Sequence, residues 1–154
     1  MRHKVDHRKL GLPSDQRMHL LTNLSRQFIR HGYVRTTFGR AKELQRMVEK
    51  LITLTKHEDG LEARRRARKI LVGHSSSNLV SGKVTAGKTA LETTQIKIQF
   101  NKLSGEDLVQ HLFDNIGPRF KDRNGGYTRL VKTGNRRGDA AQTAVLEQIG
   151  RAHV

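Results

Sequence analysis

One eight-residue stretch has the spacing of a phosphate-binding loop. Residues 82–89 read GKVTAGKT and match the pattern G-x-x-x-x-G-K-S/T at every fixed position. A working loop follows a buried strand and opens a helix, so that backbone N–H groups and Lys88 converge on the phosphates. Here only Leu79 and Val80 precede the loop as strand material, and the residues after it alternate like a strand. We therefore interpret the match as a chance one within a basic loop.

Two histidines are spaced like metal ligands on a helix. His3 and His7 are four residues apart, with Asp6 beside them. The surrounding segment is strongly basic and would repel a cation, and no third group of ligands is near in sequence. The chain has no cysteine, which excludes disulfides, thiol catalysis and cysteine-ligated metal sites. No serine hydrolase motif is present either. We expect no catalytic residues, no cofactor, no metal and no small-molecule substrate.

The charge of the chain indicates its partner. Thirty Lys and Arg residues stand against 14 Asp and Glu residues, a formal net charge of +16 over 154 residues. Such an excess needs a polyanion to neutralise it. No apolar run approaches the ~18 residues of a membrane span, and the first ten residues lack the apolar region of a secretion signal. We therefore expect a cytoplasmic protein that binds nucleic acid and no membrane.

The cations are grouped. One cluster lies within a single short helical pattern, and others flank a β-prone stretch and a glycine-rich turn. The cluster residues are Arg64, Arg65, Arg66, Arg68 and Lys69; the flanking pairs are Arg35 with Arg40 and Arg136 with Arg137. A charge run usually forms a solvated helix face. Five cations within six positions would repel one another, so we favour phosphate contacts over a solvated face.

Long basic arms and turns on a small core favour a large structured RNA as the target. Aromatic residues are 5% of the chain, there is no tryptophan, and Phe28 and Phe113 fall on apolar helical stripes, which leaves little for base stacking. Binding should therefore act through phosphates, sugars and shape. No zipper, finger or two-helix DNA reader is evident. Two alternatives remain: a DNA-compacting protein, which needs only the charge, and a nucleotide-dependent enzyme or switch, which needs residues 82–89 to be a real phosphate loop.

The hydrophobic pattern predicts four helices. Ser14 is a candidate cap for the first, which runs to about His31 with Gly32 as its stop. A second should end near Lys56, and a third covers the stretch GLEARRRARKIL. A fourth begins after Ser104 and ends at Gly117-Pro118. Their apolar stripes are Met18, Leu21, Leu24 and Phe28 in the first, Ala41, Leu44, Val48, Leu51 and Thr55 in the second, and Leu108, Leu112 and Ile116 in the fourth.

Short β-prone runs complete the pattern. Residues 33–37 form one strand candidate, and GGYTRLVKT and AAQTAVLEQI form an antiparallel pair across the turn GNRRGD. Residues 94–101 alternate like a half-buried strand. We predict an α+β fold of about four helices on a small mixed or antiparallel sheet. Residues 1–13 would form a basic arm and residues 14–154 a single domain.

Three stretches carry a family resemblance. MRHKVDHRKLG, TTFGRAKELQRMVEKLITLTK and LFDNIGPRFKDRNGGYTRLVKTGNRRGDAA, in that order, closely resemble the bacterial large-subunit ribosomal protein family numbered seventeen. The resemblance covers residues 1–72 and 104–147. It implies a non-catalytic α+β domain bound to large-subunit (23S-type) ribosomal RNA near the exit of the nascent-peptide tunnel, with neighbouring ribosomal proteins as further partners. Residues 73–103 depart from the family pattern as an insertion, either an added β-hairpin or a flexible loop.

The resemblance and the charge pattern together give a set of expected RNA-binding residues. Among them Arg35, Arg40, Arg129 and Arg137 are the strongest candidates, because the planar guanidinium matches phosphate geometry. Gly125 and Gly126 are expected to serve a turn. The full set is Arg2, His3, Lys4, Arg8, Lys9, Arg17, Arg35, Thr37, Arg40, Lys42, Arg64, Arg65, Arg68, Arg119, Arg123, Arg129, Lys132, Arg136 and Arg137.

Overall fold

The computed structural model describes residues 7–72 and 105–150, and these form an α+β fold. Four α-helices and a three-stranded antiparallel sheet confirm the predicted fold class. The elements are α1 (Ser14–His31), β1 (Tyr33–Thr37), α2 (Phe38–Leu54), α3 (Gly60–Leu71), α4 (Gly105–His111), a π-helical turn (Leu112–Ile116), a 3-10 turn (Gly117–Phe120), β2 (Thr128–Asn135) and β3 (Gln142–Gln148).

Helix α1 ends where the sequence predicts it but begins differently. Gly32 has φ 74°, a left-handed conformation that glycine adopts without steric cost, and its N–H donates to the Phe28 carbonyl at 2.7 Å. The predicted cap Ser14 is wrong, because Ser14 is already the first helical residue. Pro13 occupies the cap position, and its carbonyl accepts from the Arg17 N–H at 2.9 Å.

The predicted apolar stripe of α1 is partly wrong. Met18 is 52% exposed, whereas Ser25 is fully buried. The buried face runs instead through Leu21, Ser25, Phe28 and Ile29, which recur at helical spacing. Ser25 is tolerated there because its hydroxyl donates to the Leu21 carbonyl at 2.8 Å, so no polar group is left without a partner.

Helices α2 and α3 match their predicted spans within two residues. In α2 the predicted stripe residues Ala41, Leu44, Val48 and Leu51 are buried. The fifth, Thr55, is half-buried and lies just past the end of the helix. Helix α3 begins at an Asp59 cap, whose carboxylate accepts the N–H groups of residues 61 and 62 at 3.1 Å each. Alanines at 63 and 67 face the core, which lets α3 pack closely against its neighbours.

The fourth helical segment is longer and less regular than predicted. Regular α-helix gives way at Leu112 to a π-helical turn, in which the Gly117 N–H donates to the Leu112 carbonyl five residues back. The chain then continues through Pro118 as a 3-10 turn to Phe120. Pro118 has no N–H for an α-helical bond, so regular hydrogen bonding cannot persist, but proline is accepted at the start of a new helical turn. The predicted cap Ser104 lies outside the described residues.

The sheet has the order β1-β3-β2, with both pairings antiparallel. Strands β2 and β3 confirm the predicted pair, with a register shift between Lys132 and Gly134. Strand β1 spans the predicted residues and adds to the other side of β3, with Val34 opposite Leu146. The loop before β2 turns at Gly125 and Gly126, which have φ values of 150° and 59° and serve the turn as expected.

One hydrophobic core joins the helices and the sheet. Phe28, Leu44, Leu51, Leu112 and Leu146 are fully buried and come from three different helical segments and the central strand. Leu10, which precedes α1, also packs against this cluster. Within the described residues, no helix is both long and apolar enough to cross a bilayer.

Candidate nucleic-acid interface

The outer face of the sheet is a rigid surface that carries cations. Strand side chains alternate between two faces, and Val34, Leu146 and Leu130 form a cross-strand row toward the helices. The opposite set points outward and includes two of the strongest predicted RNA-binding arginines. We call it the open sheet face; its members are Tyr33, Arg35, Arg129, Val131, Val145 and Glu147. Tyr33 is 54% exposed and Val131 41%, so apolar surface lies beside the charges.

The two arginines of the open sheet face have different surroundings. Arg129 lies directly across from Glu147, and its Nε donates to Glu147 Oε1 at 2.7 Å. Arg35 is exposed and lies across from Val145, so its cross-strand neighbour is apolar. Arg129 is thus partly neutralised within the protein, while the charge of Arg35 remains available to an anion.

The turn between β2 and β3 also presents an arginine pair. Arg136 Nε donates to Asp139 Oδ1 at 3.0 Å, and a second guanidinium N–H donates to the other carboxylate oxygen. The Arg136 hydrogen bonds and the Ala141 N–H lower the pKa of Asp139 to about 2. Arg137 is exposed, and no acid pairs with it among the described residues. One arginine therefore holds the turn while the next faces solvent.

The cationic cluster of α3 also contains arginines that pair with acidic residues. Arg64 pairs with Asp114 at 3.3 Å and lies 4.9 Å from the centroid of the Phe113 ring. Arg66 donates to Glu62 at 2.8 Å, one turn earlier in the helix. All five cations of the cluster are exposed, including Arg65, Arg68 and Lys69. The helix thus shows a solvent-facing basic surface, on which Arg64 and Arg66 have acidic partners.

The remaining described cations also combine exposure with structural contacts. Arg8 Nη1 lies 3.5 Å from Oε1 of the buried Glu43 side chain. This ion pair links the segment before α1 to α2. Arg119 donates to the Gly150 carbonyl at 3.4 Å, and Arg123 to the Gly125 carbonyl at 3.2 Å. The described members of the predicted set not yet mentioned are half-buried or exposed: Lys9, Arg17, Thr37, Arg40, Lys42 and Lys132. The ammonium of Lys132 lies 5.0 Å from the Phe38 ring centroid.

A groove of about 820 Å³ separates α2 from α3 and reaches the loop before β2. Its floor contains the half-buried side chains of Leu54 and Ile70 and the buried Tyr127. Its rim is cationic and carries Arg46, Lys50, Arg66 and Lys69. The groove therefore combines an apolar floor with positive edges.

Comparison with known proteins gives the family. The Ribosomal protein L17 family matches residues 20–149. The chain belongs to this family. A large ribosomal subunit protein bL17 of Clostridium kluyveri is 39% identical over 145 residues, covering 94% of this chain and 99% of the relative. The bL17 of Caldanaerobacter subterraneus subsp. tengcongensis is 40% identical over 145 residues, covering 94% and 100%, and that of Clostridium beijerinckii 38% over 143 residues, covering 93% and 97%.

Membership of the ribosomal protein L17 family confirms the resemblance and decides between a structural protein and an enzyme. The family consists of structural, non-enzymatic proteins, so the chain is not an enzyme and the nucleotide-dependent enzyme is excluded. The segment with the phosphate-loop pattern, and the predicted insertion at 73–103 with its strand, lie outside the described residues. So do the predicted RNA-binding residues Arg2, His3 and Lys4. Among the described residues, no group of His, Asp and Glu could hold a metal ion.

The structure also shows polar residues that the sequence pattern did not single out. Arg26 donates to the carbonyls of Leu71 and Val72 at 2.5 and 3.3 Å and so ties α1 to the end of α3. No local pattern predicts this bond between distant parts of the chain. Arg46 and Lys50 are one helical turn apart in α2, a spacing that places them on one side of the helix. Only the packing of α2 beside α3 reveals that this side borders a groove.

Proposed function

We propose that the chain is a structural constituent of the large ribosomal subunit that binds and stabilises large-subunit ribosomal RNA. Binding acts through phosphate and shape contacts and involves neighbouring ribosomal proteins. The position is near the exit of the nascent-peptide tunnel, in cytoplasmic ribosomes. The observation that carries the proposal is the set of exposed guanidinium groups, such as Arg35 and Arg137, held on rigid strands and turns of a protein with a net charge of +16.

A rigid core with exposed cations suits the recognition of folded RNA. Neutralised phosphates release their counterions, which favours binding without the need to read base edges. The open sheet face lies on three paired strands, so Arg35 and Arg129 are presented at a fixed separation. A fixed arrangement of cations selects an RNA surface whose phosphates have the matching spacing. Shape thus supplies specificity that a flexible basic chain lacks.

The position in the assembly is supported by the family. The relatives from Clostridium kluyveri and Clostridium beijerinckii are named large ribosomal subunit proteins, and the match covers nearly the whole of each. The resemblance of the sequence implies the tunnel-exit location. Neighbouring proteins there would meet the cations and apolar side chains that the RNA leaves uncovered.

Sedimentation tests the proposal. A cell lysate is fractionated on sucrose gradients at low and high salt, and the chain is followed by mass spectrometry. We expect it to co-migrate with the large subunit and to resist stringent washing. Ultraviolet crosslinking of the same fractions should join the chain to large-subunit RNA, and lysine crosslinking should link it to proteins around the tunnel exit. Recovery among free proteins at low salt would contradict the proposal, and crosslinks to proteins remote from the exit would contradict the location.

A further inference from the structure

We propose that the groove between α2 and α3 holds an unpaired RNA nucleotide, with its base on the apolar floor and its flanking phosphates on the cationic rim. The inference rests on the proposed function, since it takes RNA as the partner, and it deepens that function by assigning a site for a base. A volume of about 820 Å³ lies within the range of roughly 300–1,000 Å³ that is typical of ligand sites.

The floor of the groove is preorganised. Tyr127 packs against Phe120 with ring centroids 5.3 Å apart, and the Lys56 ammonium lies 4.8 Å from the Tyr127 ring centroid. Lys56 also donates to the Arg123 carbonyl, which fixes the loop at the end of the groove. Leu54 and Ile70 pack partly on the core and expose the rest of their side chains to the groove. A base that lies on this floor covers apolar surface without any rearrangement of the protein.

The rim favours an anion next to that base. Arg46, Lys50, Arg66 and Lys69 border the groove, and Glu49 is the single carboxylate among its described lining residues. Glu49 already accepts a hydrogen bond from Thr128 Oγ1 at 3.1 Å, so it is engaged by β2. Arg66 pairs with Glu62 in an exposed contact, which a phosphate can replace. With four cations and one carboxylate, the described lining of the groove carries a net positive charge.

These two features together favour a nucleotide over a protein segment. Each nucleotide places a phosphate close to a base, so RNA supplies the anion and the apolar face in one unit. A protein segment would need aliphatic residues flanked by acids on both sides at matching spacing. Paired bases are excluded because their faces are stacked within the duplex, whereas unpaired bases can be splayed out and packed on side chains. Asn124 and Thr53, both exposed at the groove, can hydrogen bond to the base edge.

A photocrosslinking residue in the groove tests the inference. p-Benzoylphenylalanine replaces Thr53, large subunits carrying the variant are isolated and irradiated, and crosslinks are mapped by reverse transcription and mass spectrometry. We expect crosslinks to one or two adjacent nucleotides that are unpaired. The matched control places the same group at Gln27, which is exposed on α1 and does not line the groove. Crosslinks to a protein, crosslinks to paired nucleotides, or a yield no higher than at Gln27 would each overturn the inference.

A second measurement uses conservative surface changes in case the crosslinking variant does not assemble. Subunits with Lys50→Ala and Lys69→Ala are compared with the unchanged protein by acylation of RNA 2′-hydroxyl groups. We expect a local increase in reactivity of about threefold or more at a few unpaired nucleotides, since weaker phosphate contacts release the base. No change would overturn the inference. Absence of the unchanged protein from large subunits would instead mean that the proposed function fails, so the two failures are distinguishable.

Discussion

At the scale of single residues, an acidic neighbour determines how much of an arginine's charge is available to RNA. Arg129 donates to Glu147 at 2.7 Å, whereas Arg35 faces Val145 across the same sheet. Both belong to the open sheet face and both are exposed. The number of arginines on a surface therefore overstates its affinity for phosphate when some of them already have partners.

The open sheet face gives a matched pair of substitutions. We expect Arg35→Ala to weaken binding to large-subunit RNA by about tenfold, since an unneutralised cation is lost. The slope of log affinity against log salt concentration should fall by the amount that one phosphate contact contributes. Arg129→Ala should weaken binding less, because Glu147 already balances that charge. Filter binding at several salt concentrations measures both effects. An Arg129→Ala effect larger than that of Arg35→Ala would show that Glu147 positions Arg129 for the RNA instead of neutralising it.

The turn between β2 and β3 predicts an acid-range titration. Arg136 lowers the pKa of Asp139 to about 2 from an ordinary value of 3.8. Because the folded-state pKa is depressed, the contact stabilises the turn above pH 3.8 and is lost as the pH falls toward 2. Carboxyl carbon NMR should show this low midpoint for Asp139. In Arg136→Ala the midpoint should rise toward its ordinary value; an unchanged midpoint would assign the shift to the Ala141 N–H instead.

At the scale of elements, the residue after α2 and the irregular turns after α4 approach each other closely at Gly117. A Cβ atom at Gly117 would lie 2.9 Å from both Cβ and Oγ1 of Thr55. Gly117 has φ −50°, so its backbone conformation is available to any residue and only the space is restricted. Thr55 Oγ1 donates to the Ile52 carbonyl at 2.7 Å, which holds its side chain in place. Glycine at 117 therefore sets the distance between these elements.

This contact predicts a steric cost. Gly117→Ala should lower the free energy of unfolding by about 1–3 kcal/mol, because Thr55 or the turn must shift. Thermal denaturation of the single variant and of Gly117→Ala combined with Thr55→Gly measures the effect, and the double variant should recover part of the loss. The control is Gly60→Ala at the start of α3, where no atom lies within 4 Å of the added carbon. Equal losses at Gly117 and Gly60 would contradict the steric explanation.

A hydrogen bond between β2 and α2 predicts a smaller loss. Thr128 is 5% exposed, and its hydroxyl donates to Glu49 Oε1 at 3.1 Å. Thr128→Val keeps the shape and removes the donor, so we expect a loss of about 1 kcal/mol. Urea denaturation checks this value. Thr53→Val serves as the control, because the Thr53 hydroxyl donates to the Glu49 carbonyl at 2.9 Å at an exposed position, where water can replace the bond. It should change the stability by less than about 0.5 kcal/mol.

Local patterns predict most elements here because their signals are complete within short stretches. The spans of α2, α3 and β1 follow from periodicity, the Asp59 cap and β-branched residues. The place of β1 beside β3 was not predicted, since the pairing joins residues far apart in the chain and depends on the packed core. The exposure of Met18 was not predicted either, because the packed core determines which side of α1 is covered. Of the candidate site, the cations were visible in the sequence, but their acidic partners Glu43, Asp114 and Glu147 were not.

At the scale of the whole molecule, the charge predicts a steep salt dependence. A protein that contacts six to ten phosphates loses about 10³–10⁵ in affinity between 50 and 200 mM salt. We expect a loss of at least about 10³ for the full chain on large-subunit RNA. Binding should also survive an excess of duplex DNA, because the fixed cation spacing selects a folded RNA. Equal competition by DNA would favour a DNA-compacting protein, and a shallow salt dependence would contradict phosphate-based binding.

The strand order β1-β3-β2 also bears on when the molecule can form. The central strand β3 is the last of the three to be synthesised, and β1 and β2 pair with it but not with each other. Until residues 142–148 have left the ribosome that makes them, neither earlier strand has its partner in the sheet. The open sheet face therefore cannot be completed on a partly made chain. Under the proposed function, capture of RNA by a growing chain is disfavoured, because the open sheet face is complete only after residues 142–148 have been translated.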